Sequence, residues 1–120
     1  MAVHVVVVLV GVVLAVAPWP AAALTPEDCA LVIDHLSGEV AGADIAGDQA
    51  ADSRKAILHE VGAAQRAVHE SIEATERRMR RVQRQTADLI AQGRLSHTEG
   101  ERMMTLTEAA RQCLQQLQAP

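Results

Sequence analysis

"LHEVGAAQRAVHESIEATERRMRRVQRQTADL" (residues 58–89) decides how this chain folds. Leu58, Val61, Gln65, Val68, Ile72, Thr75, Met79, Val82, Thr86 and Leu89 follow one another at alternating steps of three and four. That spacing keeps side chains on one seam of an α-helix and marks a heptad repeat. Asp52 or Ser53 stands where a cap belongs, and the pattern predicts one helix over 53–92, roughly 58 Å long at 1.5 Å per residue.

Beyond it, "AQGRLSHTEGER" (91–102) reads as a corner between helices. Gly93 supplies a residue able to take the left-handed position after a helix, and Ser96 with Glu99 forms the S-x-x-E pattern that opens the next. Met103, Leu106, Ala110, Cys113 and Leu117 give a helix over 97–118 its own seam. A short connection between two seamed helices makes an antiparallel hairpin. With its corner between Arg94 and Leu95, Cys113 faces about residue 76.

Towards the N-terminus, Thr25 can cap a helix, Pro26 suits its first position, and Glu27 and Asp28 oppose the positive end of its dipole. Cys29, Val32, Ile33, Leu36 and Val40 share one face of this helix, expected over 25–40. Residues 41–51, rich in Gly, Ala and Asp, read as a loop. The expected domain, 24–118, is therefore all-α: a long central helix and two shorter ones packed end to end along it. Cys29 and Cys113 would meet where the short helices abut and form a disulfide.

Residues 1–23 read as a leader. Val5 to Ala17 is an apolar run of signal-peptide length, Pro18 and Pro20 break it, and Ala21 and Ala23 fit an A-x-A cleavage site. The run is preceded by no Lys or Arg, which leaves an alternative: an uncleaved anchor over residues 3–24. Either places the domain outside the cytoplasm, in the periplasm, the extracellular space or on the outer side of the inner membrane. An oxidising compartment suits two seam cysteines.

The 120 residues carry a net charge of −4, distributed as −7 over 24–52, +4 over 53–94 and −1 over 95–120. The acidic N-terminal third is expected to take up part of the charge of the basic middle. The one aromatic residue, Trp19, lies in the leader. Without π-faces the domain lacks the stacking platforms of nucleic-acid, sugar and quaternary-amine binders.

"ERRMRRVQRQ" (76–85) places Arg77, Arg78, Arg80, Arg81 and Arg84 around much of a helix. One meaning is a patch for an acidic protein or an anionic membrane surface. The other is a solvated face, with Glu73–Arg77 and Glu76–Arg80 paired in the favourable i,i+4 order. His69 and Glu73 at i,i+4, with His35 as a third donor, are weak candidates for a metal such as zinc. The spacing is loose, and the expectation is no metal and no cofactor. Asp44, Asp48 and Asp52 lack the alternate-position ligands of a calcium loop. Ser37, Ser53, Ser71 and Ser96 sit in no nucleophile elbow, and Cys29 has no cationic neighbour in sequence.

"LTPED" (24–28) and "LTEAA" (106–110) resemble degenerate forms of the LT-x-x-Q repeats of periplasmic Spy-type chaperones, which are helical hairpins, although both lack the Gln. A leader ahead of a heptad-rich, cysteine-bearing helical region is similar in composition to phage inner-membrane spanins. The expected function is thus an exported, non-catalytic helical interaction protein of chaperone-like, stress or adaptor type. The alternative is a membrane-tethered accessory of spanin-like, secretion or lysis type. A homodimer through the heptad seam is compatible with either.

Overall fold

Thr25 opens the first helix, α1 (Pro26–Gly42), by donating its backbone N–H to Asp28 Oδ2 at 2.7 Å, while Pro26 occupies the first helical position. The computed structural model describes residues 24–119; the leader, its cleavage site and the alternative anchor lie essentially outside them. Three further helices follow: α2 (Ala50–Ala67), α3 (Ile72–Ala91) and α4 (His97–Gln118). The domain is all-α, and Cys29 and Cys113 are joined in a disulfide with their Cα atoms 5.6 Å apart.

One continuous helix over 53–92 is not what forms. The chain turns back at residues 68–71, where Glu70 and Ser71 both donate to the Ala67 carbonyl and the Ser71 hydroxyl caps α3 by accepting from Ala74 N at 3.1 Å. An uninterrupted helix would keep a few more backbone bonds, worth about 0.5–1.5 kcal/mol each. Folding back instead buries Ile57, Val61 and Val68 of the α2 arm with Met79 and Val82 of α3, at about 1.5–3 kcal/mol per large apolar side chain. Burial wins. The α2 segment also begins earlier than expected, at Ala50, and buries Ile57 and Ala64 where the seam placed Leu58 and Gln65.

Polar pairs fix the arrangement of the helices. Glu60 meets Arg78 and Arg81, so α2 runs antiparallel to α3. Glu76 meets Arg111 and Gln115, so α3 runs antiparallel to α4, and Cys113 lies level with residue 76 as the corner required. Cys29–Cys113 and Glu39–Arg102 set α1 antiparallel to α4, and Gln65–Asp34 sets α1 against α2. Each helix packs on two neighbours, and α1 and α3 occupy diagonal corners. The result is an antiparallel four-helix bundle. The two short helices expected to abut end to end lie side by side, and the disulfide crosses between them.

The core is narrow and has no ring in it. Cys29, Ile33, Leu36 and Val40 from α1 meet Ile57, Val61 and Ala64 from α2, Met79 and Val82 from α3, and Met103, Ala110 and Leu114 from α4. Thr75 and Thr107 are fully buried, and each hydroxyl donates to the carbonyl one turn back, Ser71 O and Met103 O. The α3 seam, Thr75, Met79, Val82, Thr86 and Leu89, is buried as its spacing predicted. It is covered from within the chain, which leaves no open seam on α3 for a second copy.

The loop expected over 41–51 is shortened to 43–49 by the extension of α1 to Gly42 and the early start of α2 at Ala50, and it lies against the 92–96 corner. Ile45 and Leu95 are both buried and pair as a single antiparallel bridge, with Ala46 N donating to Arg94 O at 2.8 Å. Gly93 takes the left-handed conformation (φ 69°) assigned to it.

Candidate functional site

The arginine run on α3 lies largely at the surface, and its five members have different fates. Arg78 donates to Glu60 Oε1 at 3.1 Å, and Arg81 lies 3.8 Å from the same oxygen. Both therefore serve to dock α3 on α2. Arg80 reaches Glu76 in its own helix at 2.8 Å, the i,i+4 pair expected. Arg77 and Arg84 are exposed and have no ion pair or side-chain hydrogen bond among the described residues. The other expected i,i+4 pair, Glu73 with Arg77, does not form among them.

Glu76 is the one buried carboxylate of this region, and of its partners only Arg80 is marked by local spacing. Its second oxygen accepts from Arg111 Nε and Gln115 Nε2, each at 3.3 Å, so α4 is held to α3 by a charge-assisted cluster. Burial pushes its pKa up. The bonds from Gln115 and Arg111 and the charge of Arg80 outweigh that and hold it below the ordinary carboxylate value. Arg111 also donates to Gln83 at 2.8 Å. No local signal marks Arg111 as its partner, since 35 residues separate the two.

The acidic N-terminal third does not neutralise this run. Glu39 pairs with Arg102 of α4, Asp34 accepts from Gln65 of α2, and Glu27 lies 3.9 Å from His69 in the 68–71 turn. No ion pair among the described residues joins α1 to α3, because the two helices are diagonal.

The weak metal candidates are not brought together. His35 lies in the groove between α1 and α4 with Glu39, Glu101 and Arg102. His69 has left the helix on which Glu73 sits, which removes the i,i+4 geometry that suggested a shared ion. Among the described residues, no group of three or more His, Cys, Asp or Glu side chains is placed to hold a metal. Cys29 and Cys113 are both in the disulfide, and Cys29 is fully buried.

The Asp44 backbone and the Ser53 hydroxyl are tied into the connectors. Asp44 N donates to the Glu99 carboxylate at 3.1 Å, and Ser53 Oγ accepts from Arg94 Nη2 at 2.9 Å. Ser96 caps α4 as expected, but Glu99 turns its carboxylate to Asp44 N and to the Ser96 hydroxyl, not to the backbone N–H of Ser96.

Compared with known protein families, curated proteins and solved structures, this chain matches none.

Proposed function

We propose that this chain is an exported, non-catalytic helical interaction protein, a disulfide-clasped four-helix module of chaperone-like, stress or adaptor type that works through its surface. The observation that carries this reading is the Cys29–Cys113 bond across the core. A structural disulfide persists in an oxidising compartment, and a leader-like segment of the right length precedes the domain. The polar side chains add to it. The charged groups that are buried or half-buried are engaged in holding helices and connectors together, as Glu60, Glu76, Arg94 and Arg111 are. On the Arg77–Arg84 side of α3, two arginines face solvent with no partner among the described residues.

The competing proposal is a membrane-tethered accessory protein, favoured by the missing basic residue ahead of the apolar run. Among the described residues no helix is long and apolar enough to cross a membrane, so a tether would rest on residues 3–24. Because α1 begins at Pro26, an uncleaved chain would hold the bundle directly against the bilayer.

N-terminal sequencing of the protein from its native source separates the two. A start at Leu24 in the soluble exported fraction supports the free module; a start at Met1 or Ala2 in the membrane fraction supports the tether. Recovery from the cytoplasm with both cysteines reduced overturns both.

A further inference from the structure

The bundle places two complementary stripes on opposite corners, where they cannot reach each other. The α1 helix carries Glu27, Asp28, Asp34 and Glu39 and no Lys or Arg. Its outward stripe presents Glu27, Leu31 and Asp34. Leu31 is 59% exposed, the one large apolar side chain among the described residues left so open. Glu27 and Asp34 are seven residues apart, two turns and about 10.5 Å along the axis. The outward stripe of α3 presents Arg77 and Arg84, also seven apart, with the half-exposed Arg80 and Arg81 between them. The acids Glu73 and Asp88 lie one turn beyond either end, so its basic stretch is the two turns from Arg77 to Arg84. The two stripes therefore match in charge and in pitch, and each has its aliphatic element in the middle. Arginine stems cover apolar surface while their heads stay in water, so Arg80 and Arg81 suit the place where Leu31 would lie.

We infer that the α3 face takes a second copy of this chain, with α1 of one molecule lying on α3 of the next so that Glu27 and Asp34 oppose Arg77 and Arg84. The inference rests on the reading of a surface-acting module and names its partner. Since α1 and α3 are diagonal, the donor and acceptor faces point in opposite directions. The contact is heterologous and does not close into a twofold dimer, so association is open-ended. The net charge of −4 opposes assembly. At physiological ionic strength, however, charges beyond about 8 Å are largely screened, and the facing stripes dominate at contact. Exposed ion pairs are individually weak, so half-association belongs at about 0.1–1 mM and falls with salt.

The test is sedimentation velocity on the oxidised, exported protein over about 0.05–1 mM, at about 50 mM and about 500 mM salt. The expected result is a weight-average mass that climbs with concentration without levelling at a dimer, and that returns to monomer at high salt. R77E/R84E and E27R/D34R should each weaken association about tenfold or more, with helicity unchanged by circular dichroism. Because D34R also gives up the Gln65 bond to α2, E27R alone is measured beside it and should weaken association in the same direction. Mixing R77E/R84E with E27R/D34R should restore association, and R77K/R84K should retain it. A monomer throughout, a plateau at dimer, or association that survives R77E/R84E overturns the inference. Binding of the unmodified protein to phosphatidylglycerol vesicles, lost in R77E/R84E and without self-association, reassigns the face to anionic lipid. The N-terminal start is read independently, so failure of self-association leaves export and the surface-acting module standing.

Discussion

The two ends of the bundle are closed by different means. At one end the 68–71 turn joins α2 to α3, and the Cys29–Cys113 bond ties α1 to α4 covalently. At the other, residues 43–49 and 92–96 are knotted without a covalent bond. There Arg94 donates to Ala46 O and Ser53 Oγ, Ala46 N donates back to Arg94 O, Glu99 accepts from Asp44 N, and the Arg54 guanidinium donates to Ala43 O. A disulfide acts chiefly by restricting the unfolded chain. A hydrogen-bonded knot acts on the folded state, and it holds only as well as its donors and acceptors are placed. One small core is thus secured by an entropic device at one end and a geometric device at the other.

Removing each device should leave a different trace. Cys29→Ser with Cys113→Ser opens a loop closed over 84 residues of sequence separation and should cost about 2–5 kcal/mol, about 4.6 in the chain-entropy model. The urea midpoint should fall, while native amide exchange at the connector end stays as it was. A disulfide-linked dimer on a non-reducing gel would instead mean that the cysteines pair between chains.

Arg94→Ala should cost less, about 1.5–3 kcal/mol, the scale of hydrogen bonds made by a charged group. Its mark should be local. The Ala46 amide, which donates to the backbone oxygen of residue 94, should exchange faster than the global loss of stability requires. If its exchange follows global unfolding alone, the knot is not an independent element and the two ends differ only in chemistry.

The disulfide end was legible in the sequence and the knot was not, for a physical reason. The chain has two cysteines, both on seams, so each is the other's one candidate partner within it, and the 93–96 corner set the register that puts Cys113 level with residue 76. Nothing local pairs Glu99 with Asp44 N, 55 residues away, or Arg94 with Ser53. The turn at 68–71 was hidden by its own phase. Val68 and Thr75 are one heptad apart, so the seam runs through the turn as if the helix continued, and no Gly or Pro marks the break. The signal present was Ser71 two residues ahead of Glu73, a cap with an acid in the first turn. The arginine run was visible as charge; that Arg78 and Arg81 share Glu60 follows only once α2 folds back along α3.

Glu76 brings a pH-dependent element to the disulfide end. Its carboxyl is held below the ordinary value in the folded protein. Its stabilising contribution is therefore complete above the unfolded carboxylate pKa, about 4.3, and is lost as pH falls through the lower folded value. Glu76→Gln keeps the shape and removes the charge shared by Arg80 and Arg111. It should cost about 1–2 kcal/mol at neutral pH, and the acid limb of stability against pH should flatten relative to the unmodified protein. An unchanged acid limb would place the titrating groups elsewhere.

Gly38 lies on α1 between Cys29 and the knot, and its substitution gauges how far the two ends depend on each other. It is exposed in mid-helix, and a Cβ added there meets nothing within 4 Å. Gly38→Ala should therefore stabilise by about 0.5–1 kcal/mol, because glycine loses more backbone freedom on folding than alanine. The increment is small but informative when measured twice, in the oxidised protein and in the Cys29→Ser, Cys113→Ser background. Distant, independent sites add to within about 0.3–0.5 kcal/mol. An equal gain in both means that α1 is fully helical without the disulfide and that the knot and core hold it by themselves. A gain that vanishes without the disulfide means that α1 has frayed through Gly38. The covalent clasp would then shape the folded state as well as the unfolded one.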